Sequence, residues 1–249
     1  MKALSKTLVT SSLILLTTGS FALAQDVVTP KKGTEWSGRV NLGGFVTDGN
    51  TNKKALVVDG RTEARQKDNR YTFGGEFRFA EDNGETTEDE YEIYAQYDRF
   101  LTKQLFTGVR TEYESDDIDE LDYRLSVGPF VGYQFYEKKT LNLSSRIGLE
   151  YITEEYANGD SEDETAFSWG VNYDQKIIDE TLQLFYKHEL STPFDDTEGF
   201  LFDAETGVRF PIAKVLVGSA QVDFDWDNDP APGVEEGDTK YSLKLGYEF

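Results

Sequence analysis

The chain contains one histidine, His188, and no cysteine, so the groups that most often act as general base, soft metal ligand or thiolate nucleophile are nearly absent. Lys187 and Glu189 share one side of an alternating segment, which puts His188 on the other, apolar side as a surface or interfacial residue. A Ser-His-Asp hydrolase and a multi-histidine metal centre therefore have little support, and no enzyme is expected. The stretch Asp225-Trp226-Asp227-Asn228-Asp229, with Glu236 at the twelfth place, partly matches a calcium loop. Pro230 stands where such a loop needs glycine for its sharp turn, so Asp225, Asp227, Asp229 and Glu236 are weak candidates only. The plainer reading is that the aspartates continue one face of a strand into solvent. Acid pairs abound, but among 47 Asp and Glu residues they specify nothing, and no cofactor is implied.

Any such residue has to be positioned by strands. Met1 to Ala24 reads as a cleaved secretory leader, with Lys2 and Lys6 at its start, a mostly apolar run from Leu8 to Leu16, and Ala22-Leu23-Ala24 as the cleavage site. A short segment, 25–34, follows. No later stretch approaches the roughly 18 consecutive apolar residues of a membrane helix. From Trp36 onward, alternation with a period of two recurs in twelve segments: 35–47, 53–67, 71–81, 89–100, 105–114, 121–134, 141–153, 165–177, 182–192, 199–210, 215–226 and 238–249. Fourteen tyrosines and seventeen phenylalanines suit strands.

One face of these segments is apolar and aromatic, as in Tyr71-Phe73-Phe77-Phe79 and Leu141-Leu143-Ile147-Leu149-Tyr151. The other carries Arg39, Asp59, Arg61, Glu63, Arg65, Glu76, Arg78, Glu90, Glu92, Asp98, Arg110, Glu112, Asp122, Arg124, Arg146, Glu150, Asp203, Glu205, Arg209, Lys240 and Lys244. Alternation alone leaves open which face points inward, so a soluble sandwich or lipocalin-like barrel is the competing architecture. The connections break the symmetry. Odd-numbered ones are mostly long and acidic, even-numbered ones short, as an up-and-down membrane barrel with long outer loops and short inner turns requires. The chain ends on Phe249, with Tyr247, Leu245, Leu243 and Tyr241 at alternate positions before it. This row resembles the C-terminal signal read by the outer-membrane barrel assembly machinery. The expected fold is all-β: a single up-and-down antiparallel transmembrane barrel over 35–249, with about 12 strands, a polar lumen and long acidic extracellular loops.

Thr47-Asp48-Gly49-Asn50-Thr51-Asn52 after the first strand, and Leu121-Asp122-Tyr123-Arg124 leading into Gly128, Gly132 and Tyr133, together with the barrel pattern, resemble the salt-stress-induced outer-membrane protein family (YdiY-like), a family of unknown function. The resemblance runs from Trp36 to Phe249 and implies a barrel in the outer membrane of a Gram-negative bacterium, with a link to ionic or osmotic stress. It supplies no catalytic residues. Read from the residues, Asp48-Gly49-Asn50 is turn chemistry, and Asp122 with Arg124 is a lumen ion pair.

The formal net charge of −22 becomes −24 once Lys2 and Lys6, the only charges of the leader, are removed, which argues against nucleic acid as a partner. The windows 48–52, 81–89, 115–120, 154–164, 193–198 and 227–238 together hold 24 of the 47 acids and no Lys or Arg. Solubility does not demand that segregation. An acidic outer rim would concentrate cations, and divalent ions there would bridge to lipopolysaccharide phosphates. Two functions are therefore expected to compete: a narrow, cation-preferring, porin-like permeability pore, and a non-conducting envelope barrel with a cation-binding rim. Membrane lipid, lipopolysaccharide and the assembly machinery are the expected partners.

Overall fold

The computed structural model describes residues 33–47, 52–118, 121–138, 140–157, 159–178, 181–194, 200–228 and 236–249. The expected leader, most of 25–34 and the turn Asp48-Gly49-Asn50 lie outside them. The strands are β1 (Glu35–Thr47), β2 (Lys53–Gln66), β3 (Asn69–Asp82), β4 (Glu85–Phe100), β5 (Leu105–Asp116), β6 (Leu121–Glu137), β7 (Leu141–Tyr156), β8 (Ser161–Ile178), β9 (Leu182–Pro193), β10 (Leu201–Pro211), β11 (Leu216–Asp227) and β12 (Gly237–Glu248). Each pairs antiparallel with its sequence neighbours, and β1 pairs with β12, closing an up-and-down barrel. No helix among the described residues is long and apolar enough to cross a membrane, which says nothing against crossing by strands.

Exposure decides the question that alternation left open. Tyr241 is 80 % exposed, Leu243 77 % and Ile93 59 %, whereas Asp98 and Asp223 are fully buried and Arg78 is 3 % exposed. The apolar face points outward and the charged face inward, the inverse of a soluble sandwich.

The strands run further into the acidic ends than expected. β3 and β4 meet at a two-residue turn, Asn83-Gly84, with both residues at positive φ (53° and 87°), so the connection expected over 81–89 is largely strand. β7 and β8 likewise extend to Tyr156 and from Ser161, pairing Glu154 with Glu162 and Thr153 with Asp163. The long acidic loops between these pairs are thus a palisade of strand ends. Period-two alternation does not require apolar residues once a strand stands clear of lipid, and a reading scaled to membrane thickness stops too soon. The same outer rim also holds Lys53 and Lys54, which pair with Asp82 at 2.9 Å and Glu81 at 3.0 Å and lie just beyond the window of 48–52.

The closing seam is the shortest in the barrel, from Arg39↔Glu248 to Gly43↔Lys244. Phe249 secures its inner end: its carbonyl accepts from the Gly38 amide at 2.9 Å and its own amide donates to the Gly38 carbonyl at 3.0 Å. Its ring occupies the space that a Cβ on Gly38 would fill. The row Tyr241, Leu243, Leu245, Tyr247 and Phe249 is exposed on the outer surface of the last strand.

Candidate functional site: the barrel lumen

Twelve strands leave a narrow interior, and here large side chains fill it. The middle is spanned by ion pairs between strands that are not neighbours. Arg78 on β3 donates from Nη2 to Asp223 on β11 at 3.4 Å, four places around the ring, and from Nε to Glu76. Lys244 on β12 sits 2.9 Å from Asp59 on β2 and 3.6 Å from Glu76 on β3. Arg146 on β7 bonds Glu189 on β9, while Lys187 lies 2.7 Å from Glu205 directly opposite it on the adjacent β10. Breaking any such pair strands a buried charge, which is why they hold strand positions firmly.

Toward the outer rim the carboxylates dominate. Arg124 bridges Glu114 (3.1 Å) and Glu154, Arg110 bonds Glu112 and lies 3.9 Å from Glu92, and Lys240 lies 3.7 Å from Asp225. Glu90, Glu150 and Asp203 join them on the inward face, with Glu90 buried and Glu150 half-buried.

Toward the inner end the chemistry changes. Arg39 pairs with Glu248 (3.1 Å), Arg61 with Glu63 (3.2 Å), Arg70 with Asp98 (2.5 Å) and Arg209 with Asp174 (3.2 Å). Around them lie aromatic rings turned into the lumen, including a buried cluster of Phe100, Phe106 and Phe130. Arg65 stacks on Phe100 with its guanidinium carbon 3.8 Å from the ring centre and Arg209 on Phe185 at 3.5 Å; nearer mid-height Arg110, already bonded to Glu112, also lies over Tyr94 at 4.0 Å. Each of these rings except Phe100 lies flat against a glycine of an adjacent strand. A Cβ on Gly132 would collide with Phe106, on Gly108 with Phe130, on Gly207 with Phe185, and on Gly74 with Tyr94. The glycines let the rings lie along the wall, and the arginines stack on them from the lumen side.

The structure thus gathers Arg39, Asp59, Arg61, Glu63, Arg65, Glu76, Arg78, Glu92, Arg110, Glu112, Arg124, Arg146, Glu150, Glu205 and Arg209 on the inward face, as parity predicts. Asp122 is the exception. The pairing of β6 with β7 slips between Leu121 and Tyr123, the bulge leaves Asp122 exposed, and Arg124 pairs with Glu114 and Glu154 instead. The weak calcium candidates are not brought together either. Asp225 is buried in the lumen near Lys240, an unfavourable neighbour for a cation, while Glu236 is exposed and Asp229 and the Asp227 side chain lie outside the described residues. Among the described residues no three His, Cys, Asp or Glu side chains group to hold a metal ion. His188 does lie on the outward side, but as a buried residue packed by Trp169, Tyr186 and Phe202, with Nδ1 3.0 Å from the Tyr186 hydroxyl. Arg70, Glu114, Asp174, Glu248 and the inward rings went unread in the sequence. Parity carried the signal for the rings: Phe100 follows Asp98, Phe106 precedes Gly108 and Arg110, and Phe185 precedes Lys187.

Comparison with solved structures finds the same architecture at low identity. The NanC porin matches with a TM-score of 0.51 at 12 % identity, over 86 % of this chain and 99 % of that one. The translocator domain of the autotransporter NalP from Neisseria meningitidis matches at 0.48 and 11 %, over 90 % and 91 %, and the KdgM porin in complex with disordered oligogalacturonate at 0.47 and 11 %, over 86 % and 99 %. At these identities the likeness concerns the fold, and the first of the three carries it. No curated protein matches the sequence. A family model described as Protein of unknown function, DUF481, matches residues 40–249, and the chain belongs to that family.

Proposed function

We propose that this chain is an outer-membrane barrel of low, cation-preferring permeability, with a constricted, ion-paired lumen behind an acidic outer mouth. The observation that carries this reading is the sorting of charge along the inward face and rim: carboxylates outnumber cations from mid-height outward, where an entering ion is first selected. A narrow lumen makes that field effective, because little water screens it. The outward apolar band supports the membrane location. An arginine at Leu149, Val171 or Leu245 is expected to cost about 2–4 kcal/mol in a bilayer if these positions sit near its midplane. Urea unfolding in lipid vesicles measures this, and a purified chain that is monomeric and soluble without detergent would overturn the location.

Planar-bilayer recording tests the function. The expected result is a small conductance whose reversal potential under a salt gradient shows cation preference, weakening as salt rises. Anion preference would refute it. A silent bilayer would favour the second reading, a non-conducting envelope barrel, for which the near-complete burial of Asp59, Arg78, Glu205 and Asp223 speaks directly.

A further inference from the structure

The inner half of the lumen holds more cationic hydrogen-bonding capacity than its own carboxylates use. Register places Arg39 directly opposite Arg61 across β1 and β2, and Arg65 directly opposite Arg70 across β2 and β3, all on the inward face. Like charges at directly opposed positions destabilise a sheet. Arg209, on β10, adds a fifth guanidinium within the electrostatic reach of Arg39. The carboxylates bonded to this group are Glu248, Glu63, Asp98 and Asp174, one for each arginine except Arg65. Arg65 has no carboxylate within 4 Å among the described residues; it lies on the Phe100 face, with Glu137, Glu63 and Asp98 acting on it from farther off. Four N–H groups are buried without a partner: Nε and Nη2 of Arg39, Nε of Arg61 and Nη1 of Arg65. Arg39 itself is 4 % exposed. A barrel that only needed register pins would not leave guanidinium donors unbonded beside one another, because buried charged donors are costly to leave unmade.

We infer that the facing guanidinium groups of Arg39 and Arg61, with three unbonded donors between them, form a binding site for a small oxyanion, a phosphate, sulfate or carboxylate group, entering from the inner mouth. The planar guanidinium offers paired donors that match two oxygens of one such group. The bound charge would relieve the repulsion between the facing guanidinium groups, and its oxygens would take up the free donors. Arg65 lies beside exposed Gln66 at the inner end of β2 and is only half-buried, which gives an approach from that side. The ion pairs of Arg78 and Lys244 in the middle of the lumen lie beyond it, so the ligand is a small ion rather than a long chain.

The test uses the full mature barrel refolded in detergent micelles. Inorganic phosphate, sulfate and acetate are each titrated against chloride at matched ionic strength, with binding followed by calorimetry and thermal unfolding. The expected result is a saturable rise in Tm with at least one oxyanion and none with chloride, and the ranking of the three identifies the group preferred. Arg39→Gln and Arg61→Gln should each raise the half-saturating concentration about tenfold, the loss of one charge-assisted bond. Lys240→Gln, in the outer half, should leave the response unchanged. In chloride alone Arg61→Gln should unfold no earlier than the parent, since it removes one of two facing guanidinium groups, so lost binding is separable from lost folding. An equal effect of chloride, no saturable response in the parent chain, or an unaltered response in both arginine variants would overturn the site. The readout is binding, not current, so it stands or falls apart from the cation preference proposed above.

Discussion

The outer and inner halves of the lumen are built on the same alternation, yet they hold their charges in different ways. From mid-height outward, Arg78, Arg110 and Arg124 are each enclosed by carboxylates, with two acidic partners apiece. In the inner half, Arg39, Arg61, Arg65, Arg70 and Arg209 have at most one carboxylate each, and Arg65 and Arg209 rest on aromatic rings. A guanidinium between two acids is locked by charge and intolerant of removal. One with a single carboxylate beside it, as at Arg39 and Arg61, keeps donors that no acid takes up. The contrast teaches that inward charge does not have one meaning along the barrel. In one half it closes the structure, in the other it leaves capacity for a ligand.

The largest expected effect sets the two halves directly against each other. Arg78→Gln removes the cation between Glu76 and Asp223 and leaves both acids buried, so it should cost about 3–5 kcal/mol in urea unfolding from lipid vesicles. Arg61→Gln should change stability by no more than about 0.5 kcal/mol, since the lost Glu63 pair is offset by relief from Arg39. Equal losses would break the comparison and show that both halves are pinned alike. A loss below about 1 kcal/mol at Arg78 would mean that water reaches that pair.

A smaller effect probes the rings. Gly132→Ala forces the Phe106 ring off the wall and should cost about 1–3 kcal/mol as overpacking. At Gly60 a new Cβ meets only ordinary contacts, 3.5 Å from the Arg39 carbonyl and 3.6 Å from Val40, so Gly60→Ala should be neutral or stabilising by up to about 1 kcal/mol. Phe106→Leu combined with Gly132→Ala should recover part of the loss, giving a coupling that two independent sites would not show.

Much of this arrangement can be read from residue types, and what escapes reading has physical causes. Strand number, closure and the inward set from Arg39 to Arg209 follow from period-two alternation, which a barrel wall enforces on every strand. Asp122 escaped because a bulge inserts a residue and resets parity locally, and no turn residue marks it. Phe106 and Phe185 are not legible by residue type, because aromatic residues populate the lipid face of the same barrel; only their places in step with Arg110 and Lys187 turn them inward. Their glycine partners Gly132 and Gly207 sit on other strands, a relation visible only with register in hand. The unbonded donors of Arg39, Arg61 and Arg65 were the least readable, since they depend on where Glu248 and Glu63 deliver their few bonds.

The smallest expected effect on stability carries the most weight for selectivity. Glu155, Glu162 and Asp163 on the ends of β7 and β8, with Glu85 on β4, are exposed at the outer rim, whereas Glu154 there is buried against Arg124. Exposed carboxylates contribute little to folding, so converting these four to Gln or Asn, with Glu154 kept, should shift stability by no more than about 0.5 kcal/mol per site. Their potential reaches about 8 Å at physiological ionic strength, comparable with the half-width of a narrow mouth, so their removal should move the reversal potential toward zero. Neutralising Lys53 and Lys54, which partly screen the same rim through Asp82 and Glu81, should move it the other way. If the four-acid variant kept full cation preference while Glu90→Gln or Asp225→Asn reduced it, selection would lie within the lumen and the rim would serve another purpose. If the inner arginines hold an oxyanion as inferred, phosphate should strengthen cation preference in the parent and in the rim variant alike, because its charge acts from the opposite end of the same passage.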